Sequence, residues 1–377
     1  MNIGVLARFF VYLVFGLLFF SIVKISVTIF SYYTQHKQDE NETREKLETR
    51  QEPLNLIGML LLLLFIFILI NIKVGFEFDG TAGDLPGKIM AIIPAVFGLL
   101  ILMNSAFQLI RGKKKVRRYG LKNEQEEILL SQQIKIDLKR KFYHLLIFVL
   151  IFCFLLTFFI IIKSRSINGD FADFYQKLLE SFWGFSDEIS FVNLIFLRQS
   201  LPLAQTLTIL FMYGAMIVLL FNDLSRLSHN LQFIFHKESQ KIMRYKELDT
   251  LASYTHFAIA YLTASLILPP MLFLASLCLG SFADPIASFI GMKFGKIKYK
   301  WNSKSLEGTI AGVIMAFVSM IWFVGPIYAA IGAFCFALTD LFTPKPIELS
   351  DNLLMPIVIT IFFIILAICG ISPIHYL

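Results

Sequence analysis

Ten apolar runs, each long enough to cross a lipid bilayer, constrain this chain more than any other feature of its sequence. The hydrocarbon core of a bilayer is about 30 Å thick, and a helix needs roughly 20 apolar residues to cross it. The runs lie at residues 7–30, 54–72, 88–110, 143–163, 200–222, 251–268, 269–285, 307–324, 327–343 and 352–370. We therefore predict an all-α, polytopic bundle of about ten transmembrane helices.

The composition excludes an ordinary water-soluble domain. Hydrophobic residues make up 57% of the 377 residues and charged residues 16%, whereas soluble domains have roughly 45–50% and about 25%. The net charge of +7 does not indicate a nucleic-acid partner, because the Lys and Arg residues of membrane proteins collect in cytoplasmic loops. The four cysteines stand singly within apolar runs, which predicts small core side chains and neither disulfides nor zinc ligands.

The positions of the charges predict the orientation of the chain. Five alternate loops hold 26 of the 34 Lys and Arg residues, and these loops are 31–53, 111–142, 223–250, 286–306 and 344–351. Because cytoplasmic loops are enriched in Lys and Arg, we expect these loops in the cytoplasm and the N-terminus outside. Pro269-Pro270 and Gly325-Pro326 interrupt long apolar stretches, and each pair should turn a hairpin between two spans.

Three segments follow from this layout. We expect residues 1–110 to form N-terminal transmembrane helices and residues 111–142 to form a basic cytoplasmic segment at the membrane interface. The six basic residues between Arg111 and Arg118 are typical of an interfacial helix that lies on anionic lipid headgroups. Residues 143–377 contain the remaining spans and the motifs that carry chemistry.

The stretch after Ser281 has the strongest chemical pattern. Ala283, Ala287, Gly291 and Gly295 recur at every fourth residue, so they share one helical face. In membranes such a face usually means close helix packing, and it also lets phosphate oxygens approach the backbone. Asp284 lies at the same place, and a carboxylate at a membrane boundary is costly without a cation, a metal or water.

Positive charges follow that carboxylate. Lys293, Lys296 and Lys304 can neutralise phosphates, and a helix that begins near Ser305 offers N–H groups to anions. Mg²⁺ prefers one or two carboxylates plus phosphate oxygens, which makes Asp284 the candidate metal ligand of a magnesium nucleotide site. The segment is one residue short of a Walker A loop and lacks Ser or Thr after its Lys, so phosphate binding here needs another geometry.

A family resemblance rests on these residues. The pattern Asp284-Pro-x-Ala287-x-x-x-Gly291-x-x-x-Gly295, followed by Lys304-Ser305-x-Glu307-Gly308-Thr309, resembles the signature of an integral-membrane family. That family contains dolichol kinase, phytol and farnesol kinases, CTP-dependent diacylglycerol kinase and phosphatidate cytidylyltransferase. The resemblance covers roughly residues 139–377.

Three further elements resemble the lipid-alcohol kinases within that family. They are Arg140-Lys141-x-x-His144, Thr255-His256 and Asp351-Asn352-Leu-x-x-Pro356. The first and third have structural alternatives: the two cations can be membrane anchors, His144 can be a structural residue, and Asp351 or Asn352 can cap a helix. The resemblance at Thr255-His256 is looser. The C-terminal elements of a phosphatidate cytidylyltransferase are absent, which favours the kinase branch.

The resemblance implies a CTP-dependent kinase that uses Mg²⁺ to phosphorylate a membrane isoprenoid alcohol, with 143–377 as its catalytic domain. In that interpretation Asp284 holds the metal and His144 lies near the acceptor hydroxyl. Glu307 is a second metal ligand, orients Lys304 or acts as a base, and Asp340 serves a metal or a lysine or faces the interface. The phosphate-binding residues would be Arg140, Lys141, Gly291, Lys293, Gly295, Lys296, Lys304, Ser305, Gly308 and Thr309.

Other functions stay open at this point. A diacylglycerol kinase, a phytol kinase and a cytidylyltransferase are the nearest alternatives, and a transporter is the alternative of another class. The expected partners are the lipid alcohol, CTP and membrane lipids. The expected location is the cell membrane of a prokaryote or the endoplasmic reticulum of a eukaryote, with the active site on the cytoplasmic side.

Overall fold

The described part of the chain consists of helices and the segments that connect them. The computed structural model describes residues 57–59, 61–66, 68–69, 130–166, 203–227, 252–302, 304–343, 347 and 349–373. The helices are α1 Leu130–Ser166, α2 Leu203–Leu227, α3 Ser253–Ile267, α4 Pro270–Cys278, α5 Asp284–Phe294, α6 Leu306–Phe342 and α7 Asp351–Ile368. The predicted spans 7–30 and 88–110 and the basic cluster Arg111–Arg118 lie outside the described residues. The predicted all-α class is confirmed for the described part.

Four helical stretches are long and apolar enough to cross a membrane, namely Asp137–Thr157, Pro270–Phe294, Leu306–Phe342 and Asp351–Ile368. One exposed apolar stripe runs along α6 at every fourth residue. Its members are Leu306, Ile310, Ile314, Val318 and Trp322. A stripe that the described residues leave exposed suits contact with lipid chains. With four helices long enough to cross a bilayer, the chain is a helical membrane protein. The count of about ten spans and the position of the N-terminus stay predictions.

The long helix α6 is two antiparallel halves that meet at Gly325. Gly325 has φ 76° and ψ 175°, a backbone conformation that glycine adopts readily. The hydroxyl of Thr309 donates to Asp340, although a straight helix would separate these residues by about 46 Å. The hairpin predicted at Gly325-Pro326 is therefore confirmed, and both ends of α6 lie on one side of the bundle.

A second hairpin forms at Pro269-Pro270, as predicted. The hydroxyl of Tyr261 in α3 donates to Ser276 O at 3.1 Å and accepts from Gly280 N at 3.2 Å, so the two arms run antiparallel. α3 occupies the middle of the bundle, where all 15 of its residues are buried. Polar side chains of this helix bond within the bundle, as those of Thr255, Thr263 and Ser265 do, which suits a helix that has neighbours on every side.

Two predicted boundaries differ from the structure. The span expected to end at residue 285 continues to Phe294, because Asp284-Pro285 is absorbed by a π-helical turn, Leu279–Ala283. Pro285 has no N–H to donate to the carbonyl four residues earlier, and a wider turn removes the clash with its ring. The segment boundary expected at residue 142 also falls inside the continuous helix α1.

The π-helical turn is fastened to both of its neighbours. Ser281 Oγ donates to the carbonyl of His144 in α1 at 3.0 Å. At Gly280 an added Cβ would lie 2.8 Å from the ring of Phe257 and 2.9 Å from the hydroxyl of Tyr261. The backbone of the turn thus touches α3 at a distance that only glycine permits.

We predict that Gly280→Ala destabilises the protein by about 1–3 kcal/mol, because the added methyl overpacks the contact with α3. Gly214→Ala is the matched control, since nothing lies within 4 Å of its added Cβ, and alanine there should be neutral or stabilising by up to about 1 kcal/mol. The measurement is the midpoint of thermal unfolding in detergent, with size-exclusion chromatography as the readout of the folded fraction. Equal midpoints for the two variants would contradict the close contact.

Candidate functional site

A buried ion pair between Lys141 and Asp284 joins α1 to the start of α5. Lys141 Nζ donates to Asp284 Oδ1 at 2.8 Å, to the backbone carbonyl of Asp284 at 2.9 Å and to Ser288 Oγ. The side chain of Lys141 is 4% exposed and that of Asp284 is 9% exposed. Because charges at such depth require partners, this contact sets the position of α1 against α5.

The other two residues of the Arg-Lys-x-x-His element lie beside that pair. Arg140 bonds to Asp137 one turn earlier at 2.7 Å, and Lys141 Nζ lies 3.8 Å from the same carboxylate. The imidazole of His144 stacks on Phe257 with ring centroids 4.1 Å apart. It lies beside the backbone of Gly280, and neither ring nitrogen has a hydrogen-bond partner of good geometry within the described residues.

Lys304 forms the second charged centre. Its Nζ lies 2.8 Å from Asp340 Oδ1, 3.3 Å from Asp351 Oδ2 and 3.4 Å from Thr343 Oγ1. Burial would lower the pKa of Lys304, but the carboxylates of Asp351 and Asp340 outweigh it and raise that pKa above its ordinary value. The side chain is therefore a cation that connects the loop before α6 to the end of α6 and to the start of α7.

The Lys-Ser-x-Glu-Gly-Thr element forms the start of α6 and bonds to the end of the same helix. Ser305 Oγ accepts from Gly308 N at 3.2 Å and caps the helix. Thr309 Oγ1 donates to Asp340 Oδ2, which leaves Asp340 between a lysine and a hydroxyl. Asp340 is thus held by Lys304 and Thr309, one of the alternatives that the sequence left open.

The two charged centres belong to one cluster. Lys304 and Asp351 both act electrostatically on Asp284, which is bonded to Lys141. Asp351 also acts on His144. Four sequence elements, which begin at Arg140, Asp284, Lys304 and Asp351, therefore meet at one end of the bundle.

Glu307 serves the loop before α6. Its Oε1 accepts from the backbone N–H groups of Lys296 at 3.0 Å and Ile297 at 3.1 Å. The carboxylate thus fixes the loop that leads from α5. This contact was not foreseen among the roles considered for Glu307.

The small-residue face packs α5 against the first half of α6. An added Cβ at Gly295 would lie 2.4 Å from Ser305 Oγ, and one at Gly308 would lie 2.6 Å from the carbonyl of Ala287 and 3.0 Å from Gly291 Cα. The packing interpretation of this face is confirmed. The glycines of this face contact the facing helix. That contact occupies the space that a phosphate beside their backbone would need.

Lys293 and Lys296 are exposed, unlike Lys304. Lys293 Nζ lies 5.5 Å and 5.2 Å from the ring centroids of Phe289 and Phe294. These two lysines lie at the rim of the charged cluster and bond to none of its carboxylates within the described residues.

The start of α7 has no side-chain cap, the role for which the sequence offered Asp351 or Asn352. Asp351 Oδ1 accepts from Asn352 N at 2.9 Å, while its Oδ2 faces Lys304. Asn352 and Pro356 are buried, and Thr360 Oγ1 donates to the carbonyl of Pro356 at 2.7 Å. Asp351 therefore combines a helix start with an ion pair.

Asp223 is a functional candidate that the sequence analysis missed. This carboxylate at the end of α2 is fully buried. It accepts from Ala252 N at 2.7 Å, from Tyr254 OH at 2.6 Å and from Thr255 Oγ1 at 2.6 Å. The Thr-His element is thus an anchor for the start of α3, with His256 Nδ1 3.0 Å from the carbonyl of Ala252. The signal that could have identified Asp223 was its position as a carboxylate directly after the apolar run 200–222.

The donor set at Asp284 fits a metal that shares its ligands with a nucleotide. No group of three or more His, Cys, Asp or Glu side chains within the described ranges could hold a metal ion alone. A single carboxylate is nevertheless what Mg²⁺ uses when phosphate oxygens and water complete its coordination. Asp284 is the carboxylate that would hold it, in exchange for Lys141.

Comparisons of the chain with known protein families, with curated proteins and with solved structures found no match. The resemblance to the lipid-kinase family therefore stays a prediction. It rests on the motif residues and on the contacts among them.

We predict that Lys304→Met lowers the free energy of unfolding by roughly 2–3 kcal/mol, below the value for a fully buried pair because the lysine is partly exposed. The loss arises because Asp340 and Asp351 keep their charges without the cation. The double variant Lys304→Met/Asp340→Asn should recover part of it. Denaturant titration in mixed micelles measures both, and a double variant less stable than Lys304→Met would contradict the pairing.

Proposed function

We propose that the protein is a CTP-dependent kinase that phosphorylates the hydroxyl of a long-chain isoprenoid alcohol dissolved in the bilayer. The observation that carries the proposal is the meeting of motif elements from distant parts of the sequence. Lys141 reaches Asp284 across 143 residues, and Lys304 reaches Asp351 across 47 residues. Separate motifs that agreed with the family by chance would have no reason to meet at one end of the bundle.

The chemistry suits the residues present. Phosphoryl transfer asks a protein mainly for positioning and for neutralisation of charge. Arg140, Lys141 and Lys304 are the cations that would neutralise the phosphates, and all three are bonded to carboxylates. Phosphate oxygens would take the place of these carboxylates, so binding is an exchange of partners. Bound Mg²⁺ would supply further neutralisation at Asp284.

The reaction needs a base at the acceptor. The hydroxyl oxygen of the alcohol forms a bond to the γ-phosphorus while the bond from that phosphorus to the bridging oxygen breaks. CDP leaves with the electron pair, and the hydroxyl proton passes to a base. We assign that role to a ring nitrogen of His144, because the buried imidazole has no hydrogen-bond partner of good geometry in the described residues.

The donor and the acceptor come from the family resemblance, because the residues of the cluster do not distinguish cytosine from adenine. The products separate the alternatives: CDP indicates a kinase, and pyrophosphate indicates a cytidylyltransferase. A panel of polyprenols, phytol and diacylglycerol identifies the acceptor. A transporter would give neither product and no thermal stabilisation by magnesium nucleotides. We place the reaction at the cytoplasmic face.

We predict that the purified protein moves label from the γ-phosphate of CTP to a polyprenol and that Asp284→Asn abolishes the transfer. Asparagine keeps the shape of the side chain but lacks the charge that holds a cation. Gly214→Ala is the control and should retain activity, because nothing lies within 4 Å of the added Cβ. Full activity of a folded Asp284→Asn variant would refute the assignment of Asp284.

We predict that His144→Gln lowers kcat by about 10²-fold or more, the usual contribution of a general base, and leaves KM for CTP little changed. Tyr143→Phe is the matched control, because Tyr143 is the preceding residue of α1 and is exposed. Steady-state kinetics with varied CTP and varied alcohol measure the difference. A rise in KM for CTP at unchanged kcat would instead place His144 at the nucleotide.

A further inference from the structure

The loop between α5 and α6 is an ordered hairpin. Residues 295–305, which we name the basic hairpin, carry an antiparallel bridge between Lys298 and Ser305. Tyr299 N donates to the carbonyl of Lys304 at 3.1 Å, and Leu306 N donates to the carbonyl of Ile297 at 2.9 Å. The bridge and these two bonds place Lys298 and Tyr299 opposite Ser305 and Lys304, while residues 297 and 300–302 form bends.

Basic residues alternate with apolar or aromatic residues along the sequence of the basic hairpin. One set of alternate residues is basic and the other is apolar or aromatic, namely Lys296, Lys298 and Lys300 against Ile297, Tyr299 and Trp301. The rings of Tyr299 and Trp301 stack with centroids 5.8 Å apart, which places these two side chains on one face. Ile297 is 60% exposed and Trp301 is 46% exposed.

Two lysines of the basic hairpin have no partner for their charge among the residues that the structure describes. Lys304 turns inward to Asp340 and Asp351, and Lys296 lies beside Glu307, whose carboxylate it influences. Lys298 and Lys300 are exposed, and neither makes an ion pair or a side-chain hydrogen bond within the described residues. No acidic residue occurs in the sequence between Asp284 and Glu307.

The position of the basic hairpin relative to the bilayer follows from α6. The lipid-facing stripe of that helix begins at Leu306, the residue whose N–H bonds to the carbonyl of Ile297. The basic hairpin therefore lies where the apolar surface ends, at the depth of the headgroups. Aromatic side chains and lysines are both enriched at that depth, the lysines with their charges turned to phosphate.

We propose that the basic hairpin is a docking surface for anionic phospholipid headgroups, with Lys298 and Lys300 bound to headgroup phosphates and with Ile297 and Trp301 in the interface. Charge complementarity selects this occupant, because juxtamembrane lysines attract anionic lipids. The proposal goes beyond the kinase function and holds without it.

The basic hairpin is held rigidly enough to present such a surface. Trp301 Nε1 donates to the carbonyl of Leu341 at 3.1 Å, and Asn302 Nδ2 donates to the same carbonyl at 3.1 Å and to that of Thr343 at 3.3 Å. These acceptors immediately follow Asp340. Headgroup contact would thus occur within a few residues of the charged cluster.

The test follows the fluorescence of Trp301 in the full chain. The other two tryptophans are replaced by Trp183→Phe and Trp322→Phe, and the protein is reconstituted in phosphatidylcholine vesicles that contain phosphatidylglycerol as the minor lipid. Bromine quenches tryptophan on contact and is placed on the acyl chains of one lipid or the other. We expect brominated phosphatidylglycerol to quench about threefold more than its mole fraction predicts, an excess that Lys298→Gln/Lys300→Gln removes.

Matched controls separate charge from other effects. Lys298→Arg/Lys300→Arg keeps both charges and should keep the excess quenching, whereas salt near 1 M should suppress it by screening. Quenching in proportion to mole fraction in the parent protein would overturn the proposal, as would excess quenching that survives Lys298→Gln/Lys300→Gln. Weaker thermal stabilisation by magnesium CTP in that variant, with lipid preference unchanged, would assign the two lysines to a nucleotide instead.

Discussion

The buried ion pair between Lys141 and Asp284 is the contact on which the rest of this bundle depends. An apolar helix packs almost equally well after a small rotation or shift, but a charge at 4–9% exposure has few acceptable positions. Leaving either partner alone would cost several kcal/mol. The pair therefore fixes the rotation of α1 and its depth against the π-helical turn, and with them the stacking of His144 on Phe257.

The features that were predictable from sequence depend on local backbone chemistry. Hairpins form at Pro269-Pro270 and Gly325-Pro326 because proline restricts the backbone dihedral angles and glycine widens their allowed range, whatever residues lie around them. The central position of α3 was not predictable in the same way, because its polar residues do not gather on one face, and such a helix has no periodicity that tells lipid from protein. The π-helical turn has a local cause in Pro285, yet the same residue was expected to end the span.

Within the site, the sequence identified the motif elements and left their contacts undetermined. Asp284 was expected to need a cation, but nothing in the spacing showed that Lys141, 143 residues away, supplies it. Lys304 was expected to face phosphates, and its partners are Asp340 and Asp351. Glu307 bonds to the backbone N–H groups of Lys296 and Ile297. That role depends on how the segment between α5 and α6 folds back against the first turn of α6. Asp223 was missed because its three donors lie about 30 residues later in the chain.

The charges of the cluster set a condition on any polyphosphate that binds there. Three cations, Arg140, Lys141 and Lys304, face four carboxylates, Asp137, Asp284, Asp340 and Asp351. Among the described residues this count leaves one negative charge in excess, and a bare triphosphate would meet the repulsion of those carboxylates. A divalent cation that accompanied the phosphates would offset that excess and would satisfy Asp284 when Lys141 turned to a phosphate. On the proposed function, the charges of these residues therefore favour a phosphate donor that arrives with Mg²⁺.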